Sequence, residues 1–197
     1  MQSNRLDEAQ RLLRENPDLS QTETLGRFWT RSLAEVGRAH EAGADGSETA
    51  SQIAALADAV VICSYRNILD DRSDLPEHAL VALGGYGRGE MAPFSDIDLL
   101  FLFSKEKEPD LIAGVLNPLW DMGFEVGHSS RTVREAEAMA REDLQSCTAM
   151  LDSRMLAGDK RLFADYQKRV FKRVPRGTAA KLHSLRQANR EGNGSVQ

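Results

Sequence analysis

Two aspartates, Asp96 and Asp98, stand one residue apart in SDIDLLFLF, and a ten-residue spacer separates them from the pair Gly84-Gly85 in LGGYGRGEM. On a strand, side chains at i and i+2 share a face, so the two carboxylates point together. Ionised oxygens held that close at the opening of a core repel one another, and a divalent cation between them removes the repulsion. Hard carboxylate oxygens suit magnesium, or manganese. Magnesium keeps several waters and completes its shell with substrate phosphates, which gives the glycines a task. Without Cβ atoms, Gly84 and Gly85 let backbone N–H groups approach phosphate oxygens, and a helix starting there turns its positive end toward the same anions. Arg88 could reach such a triphosphate, and Ser95 could bond a phosphate or cap the turn.

Two other glycine motifs fail on spacing. A P-loop needs Lys then Ser or Thr after its last glycine, whereas Gly89 is followed by Glu90 and Met91. Gly85, Gly87 and Gly89 also miss the G-x-G-x-x-G of a dinucleotide fold.

The elements that must position these residues follow from periodicity. Residues 79–83 form a short apolar run and residues 97–103 a second, both too short for helices and both read as strands. On the second, Leu100 and Leu102 continue the face of Asp96 and Asp98, while Ile97, Leu99, Phe101 and Phe103 cover the other. Helical spacing recurs over residues 111–122. Residues 124–130 can form a third strand, and Thr132 with Glu135 offers the reciprocal bonds of a capping box that opens the next helix. A fourth strand is expected over residues 149–156 and a basic helix over residues 160–172. Upstream, Leu6, Ala9, Leu12 and Leu13 mark a short helix, a second runs over about residues 22–40, and Ile53, Leu56, Ala57, Val60, Val61, Tyr65 and Ile68 form the stripe of a third. Strands interleaved with helices indicate an α/β core. The expected organisation is a helical region over residues 1–75, the core over 76–175, and a tail over 176–197 that reads as a chain cut inside a loop.

The 197 residues suffice for one sizeable core, and 41% hydrophobic with 28% charged residues is ordinary globular composition. A net charge of -5 argues against a protein whose main business is neutralising nucleic-acid phosphates. Cys63 and Cys147 are far apart and outside metal-ligand spacing, so both are expected as buried thiols. The acidic, glutamine-rich N-terminus lacks a secretory stretch, and no apolar run approaches a membrane span, so the expected location is the cytoplasm.

Gly-Gly, a spacer and then Asp-x-Asp resembles the signature of the DNA polymerase beta nucleotidyltransferase superfamily. Within it, GGYGRGEMAPFSDIDLLFL is similar to the PII uridylyltransferase/uridylyl-removing enzymes, as are LWDMGFEVGHSSRTVREA, EDLQSCTAMLDSRMLAGD and, more weakly, LFADYQ. The resemblance implies a small mixed sheet with helices packed on it (α+β). It implies a magnesium-dependent transfer of uridylyl from UTP to a tyrosine hydroxyl of the PII signalling protein in nitrogen regulation, pyrophosphate leaving. A third metal carboxylate is expected from a later strand. Asp152 matches the family's acid-x-arginine segment, with Glu125 the alternative and Arg154 placed to orient Asp152. The metal-dependent HD domain of uridylyl removal is not expected, because none of His40, His78, His128 or His183 is followed by Asp, and glutamine-sensing ACT domains have no room. The chain therefore reads as an isolated or truncated transferase module. A non-catalytic nucleotide-binding module of the same fold, or a transferase with another nucleotide or acceptor, remains open. His128 is left without a role, and Lys168, Arg169, Lys172, Arg173 and Arg176 could attract a nucleotide or an acidic partner but read first as a solvated helix face.

Overall fold

A computed structural model describes residues 2–172 apart from 71, 73 and 74. Arg173, Arg176 and the tail over 176–197 lie outside the described residues. Three helices come first: α1 (Gln2–Glu15), α2 (Gln21–Glu41) and α3 (Gly46–Asp70). Then follow β1 (His78–Ala82), the one-turn helix α4 (Gly84–Gly87), β2 (Ile97–Phe103), α5 (Pro109–Asp121), β3 (Val126–Thr132), α6 (Val133–Glu142), α7 (Leu144–Leu151), β4 (Arg154–Gly158) and α8 (Lys160–Phe171). The four strands form one mixed sheet in the order β3-β2-β1-β4, with β2 and β3 parallel and the other pairs antiparallel.

The alternation along β2 divides the core as its sequence requires. Ile97, Leu99, Phe101 and Phe103 join Leu80 and Ala82 in a cluster with α1, α2, α3 and α5. Leu100 and Leu102 join Ala79 and Val81 in a second cluster with Ala136 of α6, Met150 of α7 and Tyr166 of α8. Helices therefore cover both faces, and burying each large apolar side chain contributes about 1.5–3 kcal/mol. The N-terminal helices share their core with the sheet.

Local signals set the boundaries. Ser20 Oγ accepts the Glu23 N–H to start α2, and Asp159 Oδ1 accepts the N–H groups of Arg161 and Leu162 to start α8. The capping box is formed: Glu135 N–H donates to Thr132 Oγ1 at 3.3 Å and Thr132 N–H donates to Glu135 Oε2 at 2.7 Å. Cys63 and Cys147 are both buried and free.

Two expectations are corrected. Residues 149–156 are not one strand. Cys147, Met150 and Leu151 recur at helical spacing toward the second cluster and complete α7, and pairing with β1 begins only at Arg154 opposite Ala82. A stretch long and apolar enough to cross a membrane does exist among the described residues, within α3, and 67% of that 18-residue stretch is buried within the fold. That helix is the spine of the first cluster.

Candidate active site

The topology gathers one end of every strand. β1 runs out at Ala82 beside the start of β2, where Leu83 N–H donates to the Asp98 carbonyl at 3.0 Å. β3 is parallel to β2 and starts at the same end, with Gly127 opposite Asp98, and β4 starts there too, with Arg154 opposite Ala82. The glycine turn, the aspartate pair and the segment around residue 152 therefore share one rim of the sheet.

Gly84 takes φ +57°, a left-handed value that a Cβ disfavours, and bends the chain from β1 into α4. The first backbone bond of α4 runs from Gly87 N–H to the Leu83 carbonyl, which leaves the N–H groups of Gly84, Gly85 and Tyr86 without a partner inside the helix. The Asp98 carboxylate lies between two glycines. A Cβ on Gly84 would stand 3.5 Å from Asp98 Oδ2, and one on Gly127 would collide with Asp98 Oδ1. Asp96 and Asp98 are both exposed at the rim and close enough to interact. Partial burial, and after it the charge of Asp96, holds the Asp98 carboxyl above its ordinary value of 3.8.

That shift has a stability consequence. Ionising Asp98 costs the folded state more than the unfolded one, so its contribution is present below the unfolded value and lost as pH rises through the raised folded value. The loss begins near the ordinary value of 3.8 and extends upward. Asp98→Asn is therefore expected to gain in Tm relative to the parent at about pH 7 and not at about pH 4, read by thermal scans at both. Adding magnesium should raise the parent's Tm more than the variant's.

Ser95 serves its own turn. Its hydroxyl accepts the Ala92 N–H at 3.1 Å and its N–H donates to the Ala92 carbonyl at 3.1 Å. Pro93 and Phe94 are the central residues, and Phe94 takes φ +67° with its ring 99% exposed. This turn delivers the chain from α4 to Asp96.

Asp152 lies in the turn between α7 and β4 and is buried. Arg88 bridges it to Glu90, donating from Nη1 to Asp152 Oδ2 at 2.8 Å and from Nε to Glu90 Oε2 at 2.8 Å. Arg154 does not orient Asp152 as expected, because its fork is engaged by Asp58 of α3 at 2.8 and 3.0 Å. Glu125, exposed, precedes β3, and its carbonyl accepts the Ile97 N–H at 2.9 Å, which places it beside Asp96 in the parallel register. Among the described residues no three Asp, Glu, His or Cys side chains are gathered so as to hold a metal ion by themselves. Asp96 and Asp98 form a two-carboxylate set, which fits a magnesium ion that takes its remaining ligands from water and phosphate. His128 packs edge-on against Trp120, ring centroids 5.8 Å apart.

Residues 62–146 match the family model described as "Nucleotidyltransferase domain". The chain carries a nucleotidyltransferase domain. It is similar to the bifunctional uridylyltransferase/uridylyl-removing enzyme of Caulobacter vibrioides (strain NA1000 / CB15N), 39% identical over 160 residues that cover 77% of this chain. The corresponding enzyme of Bradyrhizobium sp. (strain ORS 278) is 39% identical over 155 residues, 74% of this chain. The chain spans 17% of the length of each. A crystal structure of a toxin-antitoxin with AMP-PNP aligns with 68% of this chain and 96% of its own, at 17% identity and a TM-score of 0.37.

Three residues of this candidate site escape sequence reasoning. Gly127 is one, because its partner is a carboxylate on the neighbouring strand rather than anything local. Gly87 is another, its α-carbon packed on the Asp152 backbone. Asp58 is the third, and its signal was available: it is a lone acid between Ala57 and Ala59 in the middle of a buried apolar stripe.

Proposed function

We propose that this domain transfers a uridylyl group from UTP to a tyrosine hydroxyl of a PII-type signalling protein, with pyrophosphate leaving. The observation that carries the reading is the Asp98 carboxylate seated between Gly84 and Gly127, beside a helix start with three N–H groups free of intrahelical bonds. The uridylyl group is that of the relatives' names, 39% identical over 160 and 155 aligned residues, and the PII acceptor follows from the resemblance of GGYGRGEMAPFSDIDLLFL to the PII uridylyltransferases.

In this reading, Gly84 and Gly85 offer backbone N–H groups to the triphosphate, and Arg88, at the other end of α4, supplies positive charge for the departing pyrophosphate. Asp96 and Asp98 would hold magnesium, or manganese in its place. The tyrosine oxygen bonds to the α-phosphorus and gives its proton to water while the bond to the pyrophosphate oxygen breaks, and an ion bound by these carboxylates would supply positive charge to the phosphate oxygens. Asp152 is held by Arg88, so its part is to fix that arginine, with a direct place on the metal as the alternative.

The test is pyrophosphate release and acceptor labelling with magnesium, UTP and PII, followed by competition among UTP, ATP, CTP and GTP. Labelling that needs the metal and disappears when the acceptor tyrosine becomes phenylalanine supports the reading. A preference for ATP would move it to another nucleotide. Binding of nucleotide without release under every condition would make this a non-catalytic module.

A further inference from the structure

Arg154, the first residue of β4, joins three elements that are distant in sequence. Its Nη1 and Nη2 donate to Asp58 Oδ2 and Oδ1 of α3 at 2.8 and 3.0 Å. Nη2 also donates to the Tyr86 carbonyl at 3.1 Å and Nε to the Gly87 carbonyl at 3.2 Å. The guanidinium carbon stands 5.5 Å from the centroid of the Tyr86 ring, itself 2% exposed. Burial, and after it the charge of Asp58, pushes the Tyr86 phenol well above its ordinary range, so that ring stays neutral.

Packing alone does not account for this arrangement. Asp58 is 4% exposed, and a carboxylate among buried alanines and valines is unfavourable unless a hydrogen-bonded cation meets it. What the pair adds is a two-toothed grip by Arg154, itself fixed by Asp58, on the last two carbonyls of α4: the Gly87 carbonyl, and the Tyr86 carbonyl that also accepts the Gly89 N–H at 3.0 Å. The grip comes from α3 and reaches the element whose opposite end faces Asp98.

We propose that Asp58 and Arg154 are positioning residues for the nucleotide. They hold α4 at the angle from which Gly84 and Gly85 present their N–H groups beside Asp96 and Asp98, so affinity for a nucleoside triphosphate depends on a pair that never touches it. The proposal rests on the nucleotidyl-transfer reading of this rim. It also gives the N-terminal helices a part in the site, through α3.

The experiment is calorimetric titration of the full chain with magnesium and UTP, and with magnesium and ATP in parallel, for the parent, Arg154→Lys, Asp58→Asn and the double variant. Lysine keeps the charge but not the fork, and asparagine keeps the shape but not the charge. Arg154→Lys is expected to weaken binding about tenfold or more and Asp58→Asn about threefold to tenfold, with the double variant no worse than Arg154→Lys, because one unit has been broken. A purely structural pair would instead lower Tm and the binding-competent fraction while the folded fraction kept the parent's Kd. Kd values within twofold of the parent in both single variants overturn the proposal. If the parent binds nucleotide but transfers it to no acceptor, the transfer reading falls while the Kd comparison still decides this one. A parent that binds no nucleoside triphosphate overturns both.

Discussion

Asp98→Asn is expected to lower nucleotidyl transfer about a thousandfold, the loss of about 4 kcal/mol of charge stabilisation that a metal bound by this carboxylate would supply. Asparagine has nearly the same volume, so it still fits between Gly84 and Gly127. One anionic oxygen is lost, and with it much of the attraction for a cation. The same change relieves the repulsion with Asp96 that helps to hold the Asp98 carboxyl high. Activity and stability should therefore move in opposite directions, as at a site whose strained charges exist for a ligand. Pyrophosphate release measured beside a thermal scan reads both. A variant that keeps more than a tenth of the parent's rate removes the metal from Asp98.

The proximity of Asp96 and Asp98 was legible because its signal is local, although β2 begins at Ile97 and Asp96 stands just before it. A strand with period-two alternation states which residues share a face, and both clusters of the core divide along β2 as that pattern requires. The capping box at Thr132 and Glu135 was legible for the same reason, since its partners are three residues apart. What sequence reasoning missed lies between partners far apart in the chain. Arg154 and Asp58 are 96 positions apart, and an acid-x-arginine segment suggests a bond between near neighbours, Asp152 and Arg154, when each is bonded elsewhere. The break between α7 and β4 was lost because apolar residues on both sides of Asp152 read equally well as one strand. Only the pairing of Arg154 with Ala82 fixes where the helix must stop.

Gly87→Ala is expected to be the most damaging single substitution to stability at this rim. Gly87 does not take a left-handed φ, so its glycine answers to space rather than to backbone conformation. A Cβ there would collide with the Asp152 carbonyl oxygen and stand 2.8 Å from the Ala82 carbonyl oxygen and 3.0 Å from the Asp152 carbonyl carbon. All three atoms belong to the backbone, so no side chain can swing away, and α4 must separate from the 152 turn. Overpacking of this kind costs about 3 kcal/mol, which for a domain of this size lowers Tm by about 6–12 °C. Separation also pulls Arg88 from Asp152, leaving a buried carboxylate without that partner, and loosens the Arg154 bond to the Gly87 carbonyl. Chemical denaturation gives the stability loss, and titration with magnesium and UTP on the fraction that remains folded should show weakened binding as well. Gly37, inside α2, supplies the comparison, because a Cβ there meets nothing within 4 Å, so its substitution by alanine should leave binding near the parent and raise stability by about 0.5–1 kcal/mol. If Gly87→Ala matches Gly37→Ala, α4 does not rest on the 152 turn, and the rim is held together by something other than the close approach of these two backbones.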